Sequence, residues 1–298
     1  MWSAQRQGRA TSTARSCRRA PGSTSRTERI IIVSPYFIPN EALLLAIVGL
    51  AYWQLYLSGA LAPSKWMPFT QPAIQAYFAG ALGRTALAAL GAAVIALPLG
   101  LVLALGRLSP IAVLRWPATA FIEFFRAIPV LLVIYAFMFA LPSYGINPSE
   151  YLKLVIPVGL CASAVIAEVF RAGVLSIPSG QNEAGLSIGL TGGQSFKLVV
   201  FPQAVRVVVP ALVAQAVIVV KDTAFGYIVS YPELQQSARV LVANTRNLVQ
   251  TYFVVTVIYI VINLLISRAA VWMDARLATR RAGKPKFVSL TTGRGPLT

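Results

Sequence analysis

Charged side chains lie inside several apolar stretches of this sequence. Glu123 and Arg126 are three residues apart, and so are Glu168 and Arg171, so each pair can form an ion pair on one face of a helix. A charge at the centre of a membrane costs about 3 kcal/mol or more. Each charge therefore requires a partner, as in a structural ion pair at the level of the lipid headgroups, or a water-filled cavity.

Lys221 and Asp222 lie deeper in their apolar stretch, after the uncharged run Val207–Val220, which corresponds to ~21 Å of helix. Adjacent helical residues point about 100° apart, so these two side chains are poorly placed to neutralise each other. They either line a pathway or form an ion pair with other helices. The residues predicted to line or shape such a pathway are Arg126, Glu168, Lys221, Asp222 and Thr223.

Other kinds of chemistry are excluded by residue type. Histidine is absent, and the two cysteines, Cys17 and Cys161, lie far apart, which excludes a structural zinc site and a Cys/His nucleophile pair. The nearest approach to a nucleotide-binding P-loop, Gly180–Gly185, is followed by Leu186 instead of the required lysine. We expect no metal, no cofactor, no catalytic residue and no enzyme activity of the chain itself.

The composition is that of a membrane protein. Hydrophobic residues make up 57% of the chain and charged residues only 12%, with a mean hydropathy of +0.69, whereas a soluble domain carries about 25% charge. The net charge of +17 could indicate nucleic-acid binding, but the basic residues concentrate at the two ends, before Ala42 and from Arg268 onward. That layout is typical of cytoplasmic tails beside anionic lipid. We therefore expect a lipid bilayer and no nucleic acid as a partner.

Six stretches are long enough to cross a membrane as helices, which predicts an all-α membrane protein with six transmembrane helices. Periodicity alone leaves five spans possible. Four of the stretches contain a proline that can kink the helix: Pro98, Pro129, Pro157 and Pro210. The uncharged stretches are Ala42–Leu61, Thr85–Leu105 and Leu248–Ser267, and the charged ones are Phe121–Pro142, Leu152–Leu175 and Val207–Val229.

Lysine and arginine are concentrated on one side of this predicted topology, which places both termini and residues 176–206 in the cytoplasm. The first residues are rich in Arg, Ser, Thr and Gly, which predicts a disordered tail, although the same bias would suit an organelle transit peptide. The predicted organisation is a basic cytoplasmic tail at 1–35, an extra N-terminal helix at 36–62, a transport domain at 63–275 and a basic cytoplasmic tail at 276–298.

A long connection, Ile177–Pro210, separates two of the predicted spans. We expect it to form two short helices. Ser179 can cap the first and Gly189 can end it, while Thr191 and Gln194 have the spacing of a capping box for the second. Such a segment is either a docking surface or an amphipathic elbow that rests on lipid headgroups.

This connection resembles the cytoplasmic motif of ABC importer permeases, which is Glu-Ala-Ala, three residues, Gly, nine residues, Ile, one residue and Leu-Pro. Every spacing is kept, and the three departures, Gly185 for Ala, Val199 for Ile and Phe201 for Leu, keep the small or apolar character. The resemblance implies a coupling helix that contacts a separate ATPase. The matching residues are Glu183, Ala184, Gly185, Gly189, Val199, Phe201 and Pro202.

Within that family the sequence is most similar to the polar amino-acid branch, and in particular to the second permease of actinobacterial glutamate importers. The phrases that carry this similarity are Phe121–Leu131, Ala167–Ala184 and Val220–Leu234. The resemblance implies a five-helix core, two permease subunits, two cytoplasmic ATPases and an extracellular binding protein, in a bacterial plasma membrane. It favours glutamate as substrate, with glutamine, aspartate or arginine as alternatives, and leaves homodimer and heterodimer open.

Two other classes of membrane protein are alternatives to a permease subunit: a secondary transporter and a membrane enzyme. An ion-coupled secondary transporter acting alone would need its own ion site and usually shows internal repeats, and no convincing repeat is present. A membrane enzyme is disfavoured because the chain lacks histidine and any clustered carboxylate pair.

Overall fold

The computed structural model describes residues 40–281, and within this range the secondary structure is entirely helical. This confirms the predicted fold class. The predicted tail at 1–35 lies outside the described residues, as do residues 282–298 of the predicted C-terminal tail. Long helices are α1 (Asn40–Leu57), α2 (Pro72–Leu108), α3 (Ala112–Ala127), α4 (Val130–Ser143), α5 (Glu150–Leu175), α6 (Ser179–Ser187), α7 (Gly192–Val229), α8 (Leu234–Thr245) and α9 (Leu248–Arg281).

The chain divides into two compact units, residues 1–54 and residues 55–298. The described part of the first unit is most of α1, which carries no charged residue from Ala42 onward. The second unit contains all the other helices. It also contains two short helical turns, Pro63–Trp66 and Met67–Thr70, that lead into α2.

Four helical segments in the described range are long and apolar enough to cross a membrane: α2, α5, α7 and residues Leu248–Ala269 of α9. The pair α3 and α4 adds a fifth if it is counted as one broken span. The apolar part of α1, Ala42–Leu57, is shorter than these. The predicted total of six spans therefore stays a prediction.

The stretch predicted as one span from Phe121 to Pro142 is two helices that meet at an angle of 99°. Ile128 and Pro129 adopt extended backbone conformations between them, because a proline disfavours helical geometry in the residue before it. The expectation of one helix over this stretch is wrong. The other three prolines in the spans lie inside α2, α5 and α7, which continue past them.

Small residues pack α2 closely against α5. A Cβ atom added to Gly100 would lie 2.6 Å from Cγ2 of Ile166, and one added to Gly159 would lie 2.9 Å from Cβ of Ile95. Membrane helices use glycine in this way because lipid supplies no hydrophobic drive, so close van der Waals packing must hold the helices together. The contacts rise together along both helices, so α2 and α5 run in the same direction.

Helix α7 runs antiparallel to α5, because Gly173 near the end of α5 packs on Val208 in the first half of α7, whereas Gly226 near the end of α7 packs on Leu154 near the start of α5. Helix α9 runs parallel to α2, since Phe78 at the beginning of α2 contacts the early part of α9, which includes Val255. One end of the bundle therefore holds the ends of α2 and α5, α6 and the start of α7. We call it the α6 end, and we call the opposite end, where α8 lies, the α8 end.

Candidate functional site

A cavity of about 240 Å³ lies among the end of α3, the middle of α5 and α7. Its polar lining comes from three helices: Arg126 in the last turn of α3, Cys161 on α5, and Gln215 with Asp222 on α7. The bend after α3 places Arg126 there, because the chain turns away immediately beyond it. The cavity thus combines a cation, an anion and an amide.

Arg126 and Asp222 offer opposite charges in this cavity, on different helices. Asp222 makes no salt bridge with any residue in the described range. Arg126 is only loosely paired, because its Nη1 lies 3.9 Å from Oε2 of Glu123. A cavity with an available guanidinium and an available carboxylate suits a small molecule that carries both an anionic and a cationic group.

The other predicted pathway residues lie elsewhere. Lys221 is exposed and is not part of this cavity, although it is adjacent to Asp222. Thr223 is buried and its hydroxyl donates to the carbonyl oxygen of Val220 at 2.7 Å. Glu168 is part of an ion-pair chain towards the α6 end. Of the five predicted residues, Arg126 and Asp222 come together in the cavity.

The ion-pair chain joins α2, α3 and α5 through Arg107, which lies beyond the predicted span Thr85–Leu105. Arg107 lies in the last turn of α2. Its Nη2 is 2.9 Å from Oε1 of Glu123 and its Nη1 is 2.7 Å from Oε1 of Glu168. Arg171 donates to Oε2 of Glu168 at 3.0 Å from two of its nitrogens, so the chain runs from Arg126 to Arg171.

The centre of this ion-pair chain is shielded. Arg107 and Glu168 keep 22% and 19% of their side-chain surface exposed, while Glu123 keeps 55%. Apolar residues of α2, α3 and α5 pack in a cluster that includes Leu103, Ile122 and Ala167. The one sequence signal that Arg107 belongs to a helix is its position, two residues after the end of the uncharged run Thr85–Leu105.

A second polar cluster, which the sequence did not reveal, lies at the α8 end. Glu233 is fully buried and caps the N-terminus of α8: its two carboxylate oxygens accept hydrogen bonds from the backbone N–H groups of Gln235 at 2.6 Å and Gln236 at 2.7 Å. The hydroxyl of Tyr259 on α9 donates to the same carboxylate at 3.2 Å. Burial raises the pKa of Glu233 to about 7, although these hydrogen bonds oppose the shift.

Other elements surround this carboxylate. The backbone N–H of Leu234 donates to the Thr85 hydroxyl on α2 at 3.1 Å. Gly226, in the last turns of α7, lies so close that an added Cβ would be 2.7 Å from Cγ of Glu233. The Tyr231 hydroxyl donates to the carbonyl of Arg84. Glu233 and its neighbours Tyr231 and Leu234 thereby tie the end of α7, soon after Asp222, to α2 and α9.

The connection at the α6 end has the expected turn and capping box, but it differs from expectation in two ways. The second short helix is not separate, because it continues without a break into α7, and the first helix lacks its expected cap. Gly189 follows α6 with φ +88°, a left-handed conformation that favours glycine. Thr191 and Gln194 form the predicted capping box, in which the Thr191 N–H donates to Gln194 Oε1 at 2.9 Å. The prediction that Ser179 caps α6 is wrong. Pro178 occupies the N-cap position without a side-chain hydrogen bond, and Ser179 is already the first helical residue.

The small size of Gly185 allows α6 to pack closely against the start of α7. Gly185 is buried, and an added Cβ would lie 2.5 Å from Oγ of Ser195. That hydroxyl donates to Oδ1 of Asn182 at 2.7 Å, which links α6 to the first turn of α7. Gly185 therefore offers no open side to a partner backbone, because Ser195 already occupies that space.

The other motif residues differ in exposure. Glu183, Ala184 and Pro202 are exposed, and Val199 and Phe201 are half-buried, with the Phe201 ring 5.9 Å from that of Phe196. Ile188, which the motif does not include, is 78% exposed at the tip of the turn. The exposed face of α6 thus combines an acidic residue, a small residue and a solvent-exposed isoleucine.

Comparisons with known proteins identify the family. Residues 96–279 match the model described as binding-protein-dependent transport system inner membrane component. The chain belongs to this family. The resemblance to ABC importer permeases that the motif indicated is thereby confirmed.

Curated relatives of the chain are amino-acid permeases. The glutamate transport system permease protein GluD of Corynebacterium glutamicum is 38% identical over 233 residues, which cover 76% of this chain and 85% of the relative. The glutamate/aspartate import permease protein GltK of Escherichia coli O157:H7 is 31% identical over 195 residues, 63% of this chain and 87% of the relative. A crystal structure of an amino acid ABC transporter with histidines matches with a TM-score of 0.66 at 27% identity, covering 68% of this chain and 95% of that chain.

Proposed function

We propose that this chain is a permease subunit through which glutamate enters a bacterial cell, powered by separate ATPase subunits. The observation that carries the proposal is the cavity shared by Arg126 and Asp222 in a member of this permease family. Glutamate, the substrate named for the relative in Corynebacterium glutamicum, carries an ammonium group that Asp222 can bind and two carboxylates that can approach Arg126. Glutamine, aspartate and arginine are the other candidates.

The proposed complex has two permease subunits, two cytoplasmic ATPases and an extracellular binding protein. The partner permease is a second copy or a paralogue. We propose that it packs beside the cavity, where it would turn an open pocket into an enclosed pathway. Residues 63–275 are proposed as the transport domain, preceded by an additional helix at 36–62, and both termini are proposed to face the cytoplasm.

Charge supports this orientation. The α6 end carries Arg115, Lys197 and Arg206 in addition to the ion-pair chain, whereas only scattered cations such as Lys153 and Arg239 lie near the α8 end. Loops rich in lysine and arginine stay on the cytoplasmic side. Single cysteines at Ile188 and Tyr144, in a background without Cys17 and Cys161, should be labelled from opposite sides of the membrane. Labelling of both from the outside would contradict the orientation.

The ATPase is proposed to bind the exposed face of α6. Glu183 can meet a basic residue, Ala184 allows close approach, and Ile188 offers apolar area that is costly to leave in water. Val199, Phe201 and Pro202 lie in the first turns of α7, which begins just after this face, so that closure of the ATPases moves the spans. Gly185 and Gly189 would act by shaping the connection.

Copurification tests this docking. Ala184→Trp should release the ATPase or uncouple its hydrolysis from uptake, because an indole on the contact face leaves no room for a partner backbone. Ala76→Trp adds the same bulk to an exposed position at the beginning of α2, at the opposite end, and should leave both unchanged. Gly189 is unsuitable for this test, since any side chain there strains the turn. Normal copurification and coupled hydrolysis in Ala184→Trp would show that α6 is an elbow on the lipid.

Uptake tests the substrate. Proteoliposomes that contain the complete importer should accumulate labelled glutamate when ATP is present, and Arg126→Gln should raise the KM for glutamate. Uptake without any ATPase would instead support a secondary transporter acting alone. Failure of the complete importer to transport any amino acid would contradict the proposed function.

A further inference from the structure

Arg126 belongs to two sites at once. Its side chain lines the cavity, and it is also the terminal member of the ion-pair chain that runs through Glu123, Arg107 and Glu168 to Arg171. The contact with Glu123 is long, 3.9 Å, whereas the next link, from Glu123 to Arg107, is 2.9 Å. Arg126 is therefore the member of the chain that an anion in the cavity can most easily attract.

The charge balance of the chain points the same way. Three guanidinium groups share two carboxylates, so one positive charge remains in excess. Arg107 and Arg171 each hold a contact of 3.0 Å or less with a carboxylate, so the excess falls on Arg126. An ion pair with Arg126 can thus form without leaving either glutamate unpaired.

We propose that a carboxylate of the substrate competes with Glu123 for Arg126, and that Arg107 acts as a positioning residue that sets the strength of this competition by holding Glu123 away. The inference rests on the proposed function. While Arg107 binds Glu123, Arg126 is available to the cavity. When Arg107 releases Glu123, the carboxylate turns to Arg126 and opposes substrate binding.

Substrate binding at Arg126 also affects the segment between α5 and α6, where the ATPase is proposed to bind. Arg107 holds Glu123 with one nitrogen and Glu168 with another, and α5 ends seven residues beyond Glu168, directly before the segment that leads into α6. A substrate that takes Arg126 leaves Glu123 wholly to Arg107. Binding of substrate in the cavity thereby changes the contacts of the Arg107 guanidinium. Through this group it affects α2 and the end of α5 that leads into α6.

Two substitutions with opposite expected signs test the proposal. Binding of radiolabelled glutamate is measured on the complex of permease and ATPase in lipid nanodiscs, without the binding protein. Glu123→Gln removes the competitor and should tighten binding by about two- to fivefold, the range for a partly exposed ion pair. Arg107→Gln frees Glu123 and should weaken binding by about the same factor.

Matched controls separate competition from general damage. Glu150→Gln and Arg115→Gln remove the same charges from exposed positions outside the ion-pair chain and should not alter affinity. The double variant Arg107→Gln with Glu123→Gln should bind as tightly as Glu123→Gln alone, since Arg107 acts only through Glu123. Adding Arg126→Gln to Glu123→Gln should abolish the gain. Arg107→Lys, a milder change, should weaken binding less than Arg107→Gln.

Parallel measurements with glutamine identify the carboxylate. Equal effects on glutamate and glutamine assign the α-carboxylate to Arg126, and larger effects on glutamate assign the side-chain carboxylate. Weaker binding in both Glu123→Gln and Arg107→Gln would mean that the ion-pair chain only maintains the fold, which overturns the proposal. Unchanged affinity in Glu123→Gln, or no binding by a wild-type complex that transports glutamate, overturns it too, without affecting the proposed function.

Discussion

The two ends of the bundle stabilise their glutamates in different ways. At the α6 end, Glu123 and Glu168 are partly exposed and paired with arginines. At the α8 end, Glu233 is fully buried, has no salt bridge to any described residue, and relies on two backbone N–H groups and one hydroxyl. Near water, charges can be shared and exchanged, because each partner is easily replaced by solvent. In a dry site every lost hydrogen bond leaves a polar group unsatisfied, so the arrangement is rigid.

This difference suits different tasks. The ion-pair chain can redistribute its contacts among three cations at little cost, which suits an element that responds to an occupied cavity. The Glu233 cluster fixes the last turns of α7 against α2 and α9 close to Asp222, which suits an element that keeps one wall of the cavity in place.

The largest expected effect is the loss of the buried carboxylate. Glu233→Ala leaves two backbone N–H groups of α8 and the Tyr259 hydroxyl without an acceptor, so we expect the free energy of unfolding in detergent to fall by about 3 kcal/mol. Glu150→Ala, at an exposed position in the first turn of α5, should change it by less than about 1 kcal/mol. Equal effects of the two substitutions would remove the distinction between the two ends.

The next effect concerns Arg107. Arg107→Ala leaves Glu123 with only the 3.9 Å contact to Arg126, and should destabilise the protein by about 1–2 kcal/mol, as expected for a half-shielded pair. Arg107→Lys should recover less than half of this loss, because a compact ammonium lacks the two separated nitrogens that reach two carboxylates. Full recovery in thermal unfolding would show that charge alone matters there. Arg115→Ala serves as the exposed control.

Acidity should affect the α8 end. The pKa of Glu233 is about 7 in the folded protein, above the ordinary glutamate value of 4.5 that applies in the unfolded chain. The folded state therefore binds the proton more tightly. Stability from this group is therefore fully present below pH 4.5 and is lost as the pH rises through 7. Between pH 6 and pH 8 the free energy of unfolding should fall by about 1 kcal/mol.

The dependence should disappear in Glu233→Gln and persist in Arg107→Ala. Thermal unfolding of the three proteins, recorded at several pH values in one detergent, makes the comparison. A slope that survives in Glu233→Gln would assign the titration to another group.

The smallest effect is that of salt on the loose end of the ion-pair chain. The Arg126–Glu123 contact joins side chains that are 43% and 55% exposed, so Arg126→Gln, which removes only this contact, should change stability by less than about 0.5 kcal/mol at low salt and by nothing measurable in 1 M NaCl. The effect of Glu233→Ala should be the same at both salt concentrations, because its hydrogen bonds are buried. A strong salt effect on Glu233→Ala would mean that water reaches that carboxylate.

Local features were predictable from neighbouring residues. The capping box of Thr191 and Gln194 and the left-handed turn at Gly189 depend on groups within a few positions of each other, and both are present. The interruption at Pro129 follows from the restriction that proline places on Ile128, but its angle of 99° depends on what α3 and α4 pack against. The expected cap at Ser179 is absent because the helix begins one residue earlier than expected, with Pro178 at the N-cap position.

The sequence by itself determined that this is a helical membrane protein and, through a motif of fixed spacing, that it belongs to a family of transport permeases. The pairs Glu123–Arg126 and Glu168–Arg171, three residues apart on one helix, followed from spacing. Only the tertiary structure decided which charges and polar groups meet across helices. Arg107 is 61 residues from Glu168, and Tyr259 is 26 residues from Glu233, distances over which periodicity has no bearing. Spacing fixes the face of a helix on which a side chain lies, whereas the partner on that face depends on how small residues such as Gly100 and Gly159 let the helices approach.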